Sequence, residues 1–307
     1  MWIILVIVIV LFCLWLAAGY LGFKVAICRG RELDINDRES IKGTSWDTYY
    51  TEIQEGIKWI DSQKSEDVEI VSEDGLKLHG RLIRHPDAHG IVLMFHGYRT
   101  HTEVDFSASS HVYYGCGNHI LLIDQRASGK SEGKYIGFGV LESRDCKCWT
   151  EYAARRFGDD FPIILAGLSM GASTVLMASA QPLAGQIRGI VADSAFSSPK
   201  EIIQKRIQQM YPIRGGIITA AIGVWSRLLA GYGIREMNVC DCMKNNHIPV
   251  LFVHGKADSN VPVEMTERAA KICPAEKELF LVEGAEHGTG YLVENEIYVK
   301  KLQEFCS

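Results

Sequence analysis

Three residues of this 307-residue chain are placed to do acyl-transfer chemistry together: Ser169 in "GLSMG", Asp258 in "VLFVHGKADSNVP" and His287 in "LFLVEGAEHG". A serine hydroxyl attacks a carbonyl only if a general base takes its proton and a carboxylate orients that base. The stretch "FPIILAGLSMGASTVLMASA" (161–180) changes from strand-like apolar residues to small residues and helix formers at that serine. A turn this sharp brings two backbones together, so glycine at 167 and 171 avoids a clash while the serine projects its hydroxyl. A helix starting at Met170 aims unpaired N–H groups at the same point, which suits a developing oxyanion. The second oxyanion donor is expected from His96-Gly97-Tyr98, with the Tyr98 N–H facing that of Met170. In that loop His96 is expected to be structural, and Tyr98 and Arg99 to line the substrate pocket. Asp193 in "IVADSAF" ends another apolar run and is the reserve position for the triad acid.

Such residues must be carried by a sheet that delivers them to one edge. "VEIVS" and "LKLHGRLI" flank Glu73-Asp74-Gly75, which reads as an antiparallel hairpin. Six apolar runs follow ("GIVLMFHG", "HILLID", "PIILAGLS", "IRGIVADS", "IPVLFVHG" and "KELFLVEGAEHG"), with helices expected near 102–115, 139–157, 170–181, 199–210, 262–272 and 290–305. Runs that are apolar throughout and alternate with amphipathic helices imply a mostly parallel sheet covered on both faces. Sites on such sheets form at the carboxyl ends of strands, where Ser169, Asp258 and His287 all fall, in the order serine, aspartate, histidine. Residues 211–238 break the rhythm with an apolar, glycine-rich insertion that reads as a lid, with Trp225, Leu228 and Leu229 expected at the pocket.

The first 23 residues carry no charged side chain and, as a helix, reach roughly 34 Å, enough for a hydrocarbon core of about 30 Å. They read as a transmembrane anchor (1–27) rather than a cleaved signal, which would place basic residues ahead of a shorter apolar run. Lys24, Arg29 and Arg31 follow it, so the positive-inside rule puts the remaining chain in the cytoplasm. Residues 28–66 are expected to link the anchor to the catalytic domain (67–307). Within them Trp46, Tyr50, Ile53, Ile57 and Ile60 recur at helical steps, so that helix should pack on the catalytic body.

With 47% hydrophobic and 22% charged residues the chain can bury a large core, and its formal charge of −5 includes no basic stripe that would track a phosphate backbone. Nucleic acid is therefore not an expected partner. The nine cysteines frame no disulfide module. The pairs Cys146/Cys148 and Cys240/Cys242 are spaced so that a helix would point their side chains apart, which makes them incidental thiols rather than metal pairs. Cys13 and Cys28 flank the apolar segment without a specific acylation signal. No HExxH, phosphate-cradling loop or dinucleotide fingerprint is present, and neither a metal nor an organic cofactor is expected.

"HGYR", "DQRASGKSEG", "GLSMG", "HGKADSNVP" and "GAEHG", in this order, resemble the α/β-hydrolase superfamily, and most of all its bacterial serine aminopeptidase-like, membrane-anchored branch. The resemblance covers residues 68–305. It implies Ser169 as nucleophile, Asp258 as acid, His287 as base, and the Tyr98 and Met170 amides as oxyanion donors, with Asp124 and Arg126 as structural ion partners. The function expected is hydrolysis of an acyl ester or thioester with a hydrophobic part. A peptidase, an acyltransferase or a non-catalytic membrane-tethered binding module are the other readings.

Overall fold

In the computed structural model, residues 1–211 and 215–306 are described. Eight strands form one sheet: β1 (Ser65–Val71), β2 (Lys77–Ile83), β3 (Gly90–Phe95), β4 (Asn118–Ile123), β5 (Ile163–Leu168), β6 (Ile187–Asp193), β7 (Val250–Gly255) and β8 (Lys277–Val282). Their order is β1-β2-β4-β3-β5-β6-β7-β8. The expected hairpin is present, pairing Ser65 with Ile83 through Val71 with Lys77. β2 also runs antiparallel to β4, and every later pairing is parallel. This is the α/β-hydrolase fold that the motifs implied.

The principal helices are α1 (Trp2–Ala26), α2 (Tyr50–Ser62), α3 (Val140–Phe157), α4 (Met170–Ala178), α5 (Pro199–Met210), α6 (Gly216–Trp225), α7 (Val263–Ile272) and α8 (Asn295–Cys306). The central strands β3, β5 and β7 are buried along their whole length, which is why their sequences are apolar without alternation. Successive residues still serve opposite faces. Ile91, Leu93 and Phe95 join the core formed with α3 and α4, whereas Val92 and Met94 join the one that receives Ile60 of α2 and Leu302 of α8.

Four elements differ from expectation, one being the helix expected near 290–305, which is split into Gly290–Val293 and Asn295–Cys306. The helix expected near 102–115 is two short ones, Thr102–Asp105 and Ser110–Gly115. The hydroxyls of Ser107, between the two, and of Ser110, which opens the second, donate to the carbonyls of Val104 and Phe106, at 2.8 and 2.7 Å, and compete with the helical ladder. The amphipathic helix starts at Tyr50, leaving Trp46 on a separate turn, Ser45–Thr48. The 211–238 insertion folds as α6 followed by a π-helical turn, Ser226–Ala230, closed by Gly231 at φ 76°. Residues 212–214 of that insertion lie outside the described residues.

α1 is long and apolar enough to cross a membrane. Its carboxyl end nevertheless belongs to the globular body. Phe23 and Ile27 are buried in the same core as Leu93 and Phe95. The chain then pairs with the 134–136 segment: the Arg29 N–H donates to the Lys134 carbonyl at 2.8 Å and the Ile136 N–H to the Ile27 carbonyl at 2.7 Å.

Candidate active site

β5 delivers Ser169 to the carboxyl edge of the sheet, and the elbow there is tight. Ser169 sits at φ 56°, ψ −112°, a conformation that a residue with a Cβ adopts only when its surroundings impose it. The surroundings are backbone. A Cβ at Gly167 would lie 2.2 Å from the Gly171 carbonyl oxygen, and one at Gly171 would lie 1.8 Å from that of Phe95. From the other side the Ser169 N–H donates to the Asp193 carbonyl at 2.8 Å.

The two partners arrive on neighbouring loops. Asp258 follows β7, and its Oδ1 accepts the N–H groups of Asn260 and Val261, both at 2.8 Å, which fixes the carboxylate plane. Oδ2 lies 2.7 Å from Nδ1 of His287 and 3.1 Å from Nε2 of His254. Gly255 lets the loops after β7 and β8 touch, since a Cβ there would meet the Ala285 carbonyl at 2.2 Å. Nε2 of His287 is 2.8 Å from the Ser169 hydroxyl oxygen. Burial pushes the Asp258 carboxyl up, but hydrogen bonds from His254 and His287 outweigh it and hold the group below the usual carboxylate range. An anionic Asp258 can only accept, so His287 carries its proton on Nδ1 and presents a bare Nε2 to the serine hydroxyl.

A third loop closes on the serine from β3. A Cβ at Gly97 would lie 3.4 Å from that of Ser169. Buried His96 accepts the Gln125 N–H on Nε2 at 3.1 Å and therefore donates from Nδ1 to the Gly97 carbonyl at 2.7 Å. The half-buried carboxylate of Asp105 accepts the Gly97 N–H at 2.5 Å and the Thr100 hydroxyl at 2.7 Å. This loop carries the Tyr98 amide, and Met170 opens α4, whose first N–H groups have no intrahelical carbonyl to meet.

The remaining sequence-derived positions go elsewhere. Asp193 accepts hydroxyls from Ser194 and Tyr298, each at 2.9 Å, and it is Asp258 that bonds His287. Arg126 is held by Asp145 and Asp74, and Asp124 by His79. The Tyr98 hydroxyl donates to the Ala26 carbonyl at 2.8 Å, and Arg99 donates to those of Val25 and Cys28 at 2.8 and 2.9 Å, so both side chains bind the end of α1. Trp225 donates its indole N–H to the Leu16 carbonyl, while Leu228 and Leu229 are exposed. Two residues at the site went unread in the sequence. Asp105 carries no local signal, but His254 stands in the "VHGKAD" run that supplies Asp258, and its position at the end of a buried strand could have drawn notice.

The model of the family described as serine aminopeptidase, S33, matches residues 86–248, more than half of the chain and inclusive of the Tyr98 loop and the elbow. The chain belongs to the serine aminopeptidase S33 family. This S33 member is 26% identical over 236 residues to the uncharacterized protein YqkD of Bacillus subtilis (strain 168), covering 77% of each chain. It is 25% identical over 236 residues to the uncharacterized protein YfhR of Escherichia coli (strain K12), covering 74% of this chain and 75% of that one. Esterase Pf2001 of Pyrococcus furiosus superposes with a TM-score of 0.63 at 26% identity, over 80% of this chain and 92% of that one. Est1E of Butyrivibrio proteoclasticus, in a structure with ferulic acid bound, shares the fold with a TM-score of 0.58 at 20% identity, over 78% and 97%. The S33 family member is thus an enzyme of the hydrolase class.

Proposed function

We propose that the protein is a membrane-anchored serine hydrolase that cleaves an acyl ester or thioester with a hydrophobic part. The observation that carries this reading is the continuous relay from the Ser169 hydroxyl to His287 at 2.8 Å and from His287 to Asp258 at 2.7 Å. His287 takes the Ser169 proton as the hydroxyl oxygen attacks the acyl carbonyl, and the tetrahedral oxyanion rests on the Tyr98 and Met170 amides. Each such donor is worth about 3 kcal/mol in the transition state. His287 then protonates the leaving alcohol or thiol, and water repeats the sequence on the acyl-enzyme. Asp258 keeps the imidazole oriented and stabilises its charged form throughout.

The likeness to an esterase supports ester chemistry, and the apolar cap helix beside an apolar span supports a substrate with a hydrophobic part. The family description favours a second reading, a peptidase using the same residues. The test has two steps. A fluorophosphonate probe should label the wild-type protein and leave Ser169→Ala unlabelled; equal labelling would remove Ser169 from its role, and a folded protein that never labels would favour a binding module. Rates on acyl esters of increasing chain length are then compared with aminoacyl amides, and faster amide cleavage would establish the peptidase. In this reading the catalytic domain is cytoplasmic, which the basic Lys24, Arg29 and Arg31 after the span support; labelling of Cys116 by an impermeant thiol reagent added outside intact cells would overturn that side.

A further inference from the structure

We propose that the cap helix α6 and the π turn after it dock on a lipid bilayer beside α1, so that both helices form one membrane-seated unit over the catalytic body. The two are packed intimately. A Cβ at Gly19 of α1 would lie 2.3 Å from that of Ala221, so the helices meet where glycine faces alanine, as apolar helices do when shape rather than water expulsion joins them. Trp15 of α1 donates its indole N–H to the Ile217 carbonyl, and Trp225 of α6 donates to the Leu16 carbonyl, each at 2.8 Å. Each helix thus satisfies the other's indole without water, as a site within hydrocarbon requires.

The outer face of α6 is apolar and uncovered. Ile217, Val224 and Leu228 recur at steps of seven and four, on one side of the helix, and are 65%, 36% and 68% exposed, with Leu229 beside them at 43%. The opposite side, with Thr219 and Ile222, is buried, and Ala221, on the flank of the stripe, is covered by α1 at Gly19. A polar border follows at Arg227, whose guanidinium pairs with Glu236 at 3.0 Å. This stripe lies beside the exposed apolar surface of α1, to which Ile217 is joined through Trp15, and a bilayer that receives α1 covers both at once. The depth agrees. If a core of about 30 Å is filled from Trp2 onward, the contact segment from Trp15 to Gly22 occupies its last 10 Å or so on the catalytic side. That is the depth, about 5–10 Å, at which an interfacial helix buries its apolar face.

The proposal rests on α1 as a membrane span but not on the hydrolase chemistry, and its test is run on full-length protein carrying Ser169→Ala in phosphatidylcholine vesicles. The photoreactive residue p-benzoylphenylalanine is placed at position 217 or 228, and for comparison at 272, where exposed Ile272 ends α7 at the amino edge of the sheet. After irradiation, mass spectrometry should find lipid adducts at 217 and 228 in at least ten-fold higher yield than at 272. Equal yields at the three positions would overturn the proposal, and so would cross-links from 217 and 228 to a second copy of the chain.

Discussion

The carboxyl edge of the sheet and the pair of apolar helices beside it are built on different principles. At the edge, hydrogen bonds of 2.7–2.8 Å join Ser169, His287 and Asp258, and backbone contacts leave room for glycine alone at 167, 171 and 255. Between α1 and α6 the contact is mostly apolar, fixed by Gly19 against Ala221 and by two indole hydrogen bonds. Substitution at the edge should therefore cost chemistry, whereas substitution between the helices should cost stability. The Tyr98 loop joins the two regions, with its backbone at Ser169 and its side chains on the carbonyls that end α1. The loop proposed to supply an oxyanion donor is thus braced by the end of α1.

The largest effects should separate the regions most sharply. His287→Ala should lower kcat/KM for a soluble acyl ester by about 10⁵-fold or more, and Asp258→Asn by about 10⁴-fold, with unfolding in urea showing that both remain folded at pH 7. Asp258 adds a pH signature. Its native pKa is depressed, so the stability it confers is complete above the usual carboxylate value of about 4 and is lost as pH falls below it. Urea midpoints measured from pH 7 down to 3 should fall less steeply for Asp258→Asn than for the wild type.

Deleting residues 1–27 tests the brace. It removes Phe23 and Ile27 from the core, and each large buried side chain lost typically costs about 2–5 kcal/mol. Unfolding free energy in detergent should drop accordingly, and kcat on a soluble ester should fall with it. A shorter deletion of residues 1–14 spares every one of those contacts and should leave both quantities near wild type. A deletion of 1–27 that keeps full stability and kcat would show the anchor to be a mere tether.

Smaller changes probe single contacts. Gly19→Leu drives a side chain into Ala221 and should cost about 1–3 kcal/mol by overpacking, with ester kcat/KM measured below the unfolding transition changing far less. Tyr98→Phe removes one hydrogen bond to the Ala26 carbonyl and should cost about 1 kcal/mol in thermal or urea unfolding. A loss of several kcal/mol there would mean that the hydroxyl does more than tie the loop to α1.

Much of the catalytic body was legible because its residues answer local demands. Buried parallel strands must be apolar, the β1–β2 turn shows in Glu73-Asp74-Gly75, and a serine between glycines marks a strand that turns into a helix. Other features had no such local mark. Asp105 reaches the Gly97 amide from a turn that reads only as helical, and the break at Ser107–Ser109 depends on hydroxyls choosing their own backbone. Leu228 and Leu229 read as pocket residues by composition alone, yet they point outward because the opposite side of the insertion is the one that packs.

The sequence by itself determined the element order, the mostly parallel sheet, an apolar segment long enough to span a membrane and the residues able to form a relay, since each follows from side-chain chemistry or from a period of two or 3.6 along the chain. Only the tertiary structure decided which apolar faces meet. Trp15 and Ile217 are 202 residues apart, and an apolar helix face suits many others equally well by composition. The choice falls to α6 because the sheet sets where α1 and the insertion emerge, and because Gly19 and Ala221 then allow their backbones to approach. The same constraint set Tyr98 and Arg99 on the end of α1 instead of in a pocket, because the loop that reaches Ser169 also passes the last carbonyls of that helix.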